Sequence, residues 1–302
     1  MIKLITPIFI IFLCLFNVQF VNAQYIHDSL KVDQGYIHYY TKGKGKPVVL
    51  LQGGPGYSSY YMRGISDSLR DYRTILIDYQ GTGRSQYRKA DTTWVSYDRI
   101  IKDVELVRKH LSIEKWAVIG NSYGSHYALY YAVRHPETIS RVILSASPGT
   151  SNYFLVYYGD NISMRRNPED IEAMNRLSDP SHEIQMKRMR IYFRPYFFDA
   201  TKASLVFTPP EEESRIFFNR DFNQSIYAWE GFSNWDISEE VYALNIPIRI
   251  LQGRQDPVNG TEVQLSERAR DSKLIYIERA GHFPWAEKPI EFFTALRKSM
   301  ED

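Results

Sequence analysis

One cysteine, Cys14, occurs in 302 residues, so no disulfide can close within the chain and no cysteine-rich zinc site can be built. An excess of either charge is also lacking: 37 Lys and Arg face 35 Asp and Glu, for a formal net charge of +2. Nucleic-acid binders concentrate a basic surplus on one face, so this balance removes the electrostatic case for a polyanion partner. No G-x-G-x-x-G follows a strand pattern, and no Lys-Ser/Thr pair closes a glycine loop, which leaves out two common phosphate cradles. Internal repeats and low-complexity tracts are missing as well. What is there, 44% hydrophobic and 24% charged residues, excludes disorder, coiled coil and collagen and suffices to bury a substantial core.

The first 23 residues stand apart. Lys3 is their only charge; an almost unbroken apolar run from Leu4 to Phe16 follows, and Val21-Asn22-Ala23 supplies small side chains where a signal peptidase reads. That layout predicts a secretory signal over residues 1–23, cleaved after Ala23. A membrane anchor is the alternative, but a spanning helix needs about 20 apolar residues and this run is broken by Asn17 and Gln19. Leu13 precedes Cys14 where lipidation wants a small residue. Cleavage would leave a chain that starts at Gln24, contains no cysteine and keeps no stable membrane anchor, in the periplasm or outside the cell.

Beyond Ala23, short β-branched runs alternate with helical patterns. The runs are Val48–Leu51, Thr74–Ile77, Trp116–Ile119, Val142–Leu144, Ile248–Leu251 and Leu274–Ile277. Continuous apolar runs suit strands buried on both faces. Helical spacing marks Tyr97 to Leu111 and Ser125 to Arg134. The alternation predicts an α/β fold, a mainly parallel sheet with helices on both faces. Ahead of it, Tyr25 to Val32 and Tyr36 to Thr41, joined through Asp33-Gln34-Gly35, read as an antiparallel hairpin at the sheet edge. The pattern breaks over residues 151–235, where 17 of 85 residues are aromatic and no buried-strand run occurs. This stretch reads as a helical cap inserted in a core made of residues 24–150 and 236–302. Its rings would line an apolar pocket, or simply hold a small helical subdomain together.

Gly120-Asn121-Ser122-Tyr123-Gly124 fits G-x-S-x-G between a predicted strand and a predicted helix, the context in which that motif places a nucleophile on a sharp turn. Glycines two residues either side let neighbouring backbone pass without a Cβ clash. The same turn sets the Tyr123 amide at a helix N-terminus, where it can donate to an oxyanion. A serine nucleophile needs a base, and the base an orienting carboxylate. Asp256 follows one predicted strand and His282 the next; loops after successive parallel strands gather at one sheet edge, where Ser122 also opens. Asp236 precedes its strand and is the weaker acid candidate, and the six other histidines have no comparable position. The loop Gln52-Gly53-Gly54-Pro55-Gly56 offers Gly54 as a second oxyanion donor, or is a plain turn.

In order and spacing, Gly53-Gly54-Pro55-Gly56, Asp78 to Ser85, Gly120 to Gly124, Gly253-Arg254-Gln255-Asp256 and Gly281-His282 resemble the proline iminopeptidase branch of the α/β-hydrolases. The resemblance spans nearly the whole chain after residue 23 except the cap. It implies Ser122, Asp256 and His282 as the catalytic triad, Gly54 and Tyr123 as the oxyanion hole, and Asp78 to Ser85 as a structural turn nearby. Two positions depart from the family pattern: Gln52 stands where a histidine is usual, and Tyr79-Gln80 where Gln-Arg is usual; altered local packing is the expected consequence. An aminopeptidase must hold a free ammonium group, and family members place glutamates on the cap for it. Glu230 beside Trp229 is the candidate here, or else a solvated carboxylate next to a packing ring. The expected activity is release of an N-terminal residue, such as proline, from short peptides; an esterase, lactonase or amidase acting on a small acid is the alternative. The chemistry needs no metal and no organic cofactor, the substrate is a small molecule or short peptide, and the sequence does not specify an oligomeric state.

Overall fold

The computed structural model describes residues 24–33, 35–86 and 95–302, without the side chains of Glu230 and Ser233. The predicted signal segment therefore lies outside the described residues. Eight strands form one sheet: β1 Ile26–Val32, β2 Gly35–Lys42, β3 Lys46–Leu51, β4 Tyr72–Ile77, β5 Trp116–Asn121, β6 Ile139–Ser145, β7 Ile248–Gly253 and β8 Ser272–Ile277. All six apolar runs fall within β3 to β8, and the two segments of the hairpin pair antiparallel as β1 and β2. The spatial order is β1-β2-β4-β3-β5-β6-β7-β8, parallel throughout from β4 to β8. Every residue of β5 and β7 is buried, and their apolar residues run without the alternation of a one-sided strand; the buried Arg249 of β7 pairs with Asp271.

The strand order reverses at β3. From it the chain moves one way to β4 and then crosses back to β5 on the other side. In open α/β sheets the crevice at such a reversal, outside the carboxyl ends of the strands, is the natural binding place. Here the loops leaving β3 and β5 flank it, and they carry Gly54 and Ser122.

The helix Tyr97–His110 starts where Ser96 Oγ accepts the Arg99 amide hydrogen at 3.2 Å. Asp98 sits in its first turn, and Arg108, Lys109 and His110 in its last, matching the helix dipole. It packs against the helix Tyr123–Arg134, which lies on β5 and β6. Between β6 and β7 the chain forms helices only, including Leu155–Arg165, Pro168–Arg176, His182–Tyr192 and Arg220–Ala228. The two ends of this insertion meet: Ser151 pairs with Asp236, the Asn152 amide donates to the Trp235 carbonyl at 3.1 Å, and the Ile237 amide donates to the Thr150 carbonyl. Asp236 thus sits at the neck of the insertion, where its carboxylate accepts from the Ser238 amide.

Candidate active site

Ser122 ends β5 and precedes the helix Tyr123–Arg134 with φ 54° and ψ −125°, a strained conformation for a residue with a Cβ. Close packing holds it there. A Cβ on Gly124 would stand 2.0 Å from the Leu51 carbonyl oxygen, and one on Gly53 would stand 2.6 Å from the Asn121 carbonyl oxygen and 2.9 Å from Ser122 Cβ. The loop after β3 and the serine turn therefore touch backbone to backbone. Among the described residues, neither the Gly54 nor the Tyr123 amide is taken up by a hydrogen bond, and both residues line the cavity that Ser122 lines.

His282 reaches the same cavity from the loop after β8. Its Nδ1 is 2.9 Å from both carboxylate oxygens of Asp256, which follows β7. Asp256 is itself fully engaged: Oδ1 accepts the Val258 amide hydrogen at 2.9 Å, and Oδ2 accepts from Gln252 Nε2 at 3.0 Å. Three loops from three strands thus bring Ser122, His282 and Asp256 to one edge. Among the described residues no hydrogen bond joins Ser122 to the His282 ring; such contacts often tighten only when substrate binds.

A family model for the alpha/beta hydrolase fold matches residues 46–289. The chain belongs to that family. Over 264 residues it is 25% identical to the proline iminopeptidase of Heyndrickxia coagulans, an alignment covering 84% of this chain and 90% of that one. Solved structures that share the fold include the following two. The proline iminopeptidase-related protein from Thermus thermophilus superposes with a TM-score of 0.71 at 20% identity, covering 92% of this chain and 98% of that one. An esterase from Exiguobacterium antarcticum gives 0.70 at 19% identity over 92% and 100% of the respective chains.

This alpha/beta hydrolase encloses a cavity of about 590 Å³ over Ser122. Eleven of its 22 described lining residues are Tyr or Phe, most of them from the insertion, such as Tyr158, Tyr192, Tyr196 and Tyr227. No Asp or Glu is among them, and Arg220 is the one Lys or Arg. Trp229, predicted to contact substrate, is not in the lining either; its ring packs 5.1 Å from that of Tyr97. The side chain of Glu230, the other predicted contact, lies outside the described residues.

The two departures from the family pattern are absorbed locally. Buried Gln52 donates from Nε2 to the Ile77 carbonyl at 2.8 Å and so anchors the glycine loop to β4. Gln80 is held by Asp103, which accepts from its amide and from its side chain. Asp78 secures its own turn by accepting the amide hydrogens of Ser59 and Arg84, although burial pushes its pKa up. Two positioning contacts escaped the sequence reading. Tyr61 accepts the Gly53 amide hydrogen at 3.3 Å and donates to Asn121, tying the two loops of the crevice together. Gln252 bridges Asp256 and the Ser147 amide. Each also acts on a partner far off in sequence, Tyr61 on Asn121 and Gln252 on Ser147.

Proposed function

We propose that this hydrolase works through an acyl-enzyme formed on Ser122. His282 takes the Ser122 proton as the oxygen attacks a carbonyl carbon, and Asp256 orients the imidazole and stabilises its charged form. The Gly54 and Tyr123 amides hold the developing oxyanion. His282 then returns the proton to the leaving group, and water releases the acyl product by the same route in reverse. The observation that carries this reading is the meeting of the strained Ser122 turn, two uncommitted amides and the His282–Asp256 pair at one cavity. A fluorophosphonate probe should label the wild type at Ser122 and leave Ser122→Ala unlabelled. Failure of the wild type to label would sink the mechanism.

For the substrate, the name of the bacterial relative supports release of an N-terminal residue, such as proline, from short peptides. The cavity supports a second reading, an ester, lactone or amide of a small acid. An ammonium group there would meet no carboxylate among the described lining residues and would share the space with Arg220. Aromatic walls suit an uncharged acyl group, and Arg220 suits one carrying a negative charge. Turnover of proline-naphthylamide and other aminoacyl-naphthylamides should be compared with that of p-nitrophenyl esters. Ester-only activity removes the peptidase reading, and activity confined to free-amine substrates removes the other. The N-terminal segment supports export to the periplasm or medium, where a mature N-terminus at Gln24 is the expected product.

A further inference from the structure

Asp256 grips the imidazole of His282, but the backbone of the loop that carries it is held by a different carboxylate. The Gly281 amide donates to Oε2 of Glu287 at 2.6 Å, and Oε1 accepts the Asp199 amide hydrogen at 2.8 Å. Asp199 belongs to the helical insertion, and so does Tyr196, whose carbonyl accepts the His282 amide hydrogen at 2.7 Å. The two backbones lie so close that a Cβ on Gly281 would stand 2.1 Å from the Tyr196 carbonyl oxygen. Glu287 is 9% exposed, and among the described residues no salt bridge reaches it. Burial raises its pKa against the pull of the amide hydrogen bonds from Asp199, Gly281 and Phe198. Arg165 acts on this carboxylate through space but makes no salt bridge with it, so its oxygens must be satisfied by other partners, and here backbone amides satisfy both.

We propose that Glu287 is a positioning residue that locks the Gly281–His282 backbone to the Tyr196–Asp199 stretch of the insertion. The imidazole is then placed from two sides: by Asp256 through the ring, and by the insertion through the backbone. This rests on the reading of His282 as the base. The chemistry requires a carboxylate, because backbone N–H donors point at both of its oxygens. A glutamine offers one oxygen and one NH₂ group, so one amide hydrogen would face another donor.

The experiment compares Glu287→Gln and Glu287→Ala with the wild type in p-nitrophenyl ester hydrolysis, with active molecules counted by exhaustive fluorophosphonate titration so that unfolded protein drops out. The expected result is a fall in kcat per titrated site of about tenfold for Gln and up to about a hundredfold for Ala, the size of effect a 1 Å misplacement produces. KM should stay within about twofold, since neither oxygen touches the cavity. A Glu287→Asp variant, which keeps both acceptors, should recover part of the loss. Unchanged kcat per titrated site, with only the melting temperature lowered, overturns the proposal. A wild type that takes no label fails in its own arm: it removes the acyl-enzyme reading, and the proposal with it.

Discussion

Two helices of nearly equal length divide this molecule. Tyr123–Arg134, behind the serine turn, has 12 residues and buries ten of them; Leu155–Arg165, in the insertion, has 11 and buries only Ile162. The helices Pro168–Arg176 and His182–Tyr192 likewise bury one residue each, Asp170 and Met186. The first region is packed on all sides, so its atoms have little freedom and can hold a strained residue in place. The second buries its later part, including Phe207, Phe217 and Ile226, but leaves these three helices mostly exposed and Tyr192 and Tyr227 more than 40% exposed while they line the cavity. On the proposed mechanism a closely packed floor sets the chemistry, and a roof whose first helices are largely exposed lies over it. Stability should reside in the floor and selectivity in the roof, and four substitutions test that division.

Ser122→Ala strikes the floor's chemistry without its packing. Ester turnover should fall about 10⁴-fold or more, with the melting temperature unchanged or raised as strain is relieved. Residual turnover near the wild-type rate would place the nucleophile elsewhere. Gly124→Ala strikes the packing itself. Alanine in a helix ordinarily gains about 1 kcal/mol over glycine. Here its Cβ would meet the Leu51 carbonyl oxygen at 2.0 Å, so the sign reverses and a loss of about 3 kcal/mol is expected in urea unfolding.

His126 tests the seam between the two regions. Its ring lies 4.1 Å from that of Trp235 in the insertion, beside Tyr97 and Phe154, and burial pushes its pKa from 6.5 down to about 3. The unfolded chain therefore binds a proton that the folded one refuses between these values. The contribution of His126 to stability is present above pH 6.5 and is lost as pH falls toward 3. Relative to His126→Phe, which cannot titrate, the wild type should lose about 2–3 kcal/mol between pH 7 and pH 4.5. Parallel stability curves for the two proteins would show that the seam opens to water. The smallest effect belongs to the roof: Tyr227→Ala should raise KM about tenfold, with the melting temperature within about 2 °C. A fall in stability instead would show that the insertion's rings act mainly as its core.

The floor was legible before folding and the roof was not. Strands β3 to β7 announce themselves because burial on both faces favours apolar runs, and the half-buried edge strand β8 still carries one. Ser122, Asp256 and His282 are marked by glycine spacing and by their places just after strands. A helix that buries one residue per three turns imposes no such period, which is why the insertion was visible only as a region rich in rings. The same limit applies within the site. Glu287, Tyr61 and Gln252 act on backbone amides or loops, and an amide carries no trace in the sequence of what it will donate to. Trp229 and Glu230 looked like a substrate contact because a ring and a carboxylate stood side by side, yet the ring went to Tyr97.

By itself the sequence determined the order of strands and helices in the core and the identity of the groups proposed to do chemistry. Both follow from demands each residue meets within a few positions of itself: apolar runs, glycines where a Cβ cannot fit, turns that follow strands. Only the tertiary structure decided which of those groups share a cavity, that its described walls carry one arginine and no carboxylate, and that the histidine loop is fastened to the insertion through Glu287. Those facts depend on segments as far apart as Asp199 and Glu287, whose meeting is set by how the strands line up and where the insertion comes to rest.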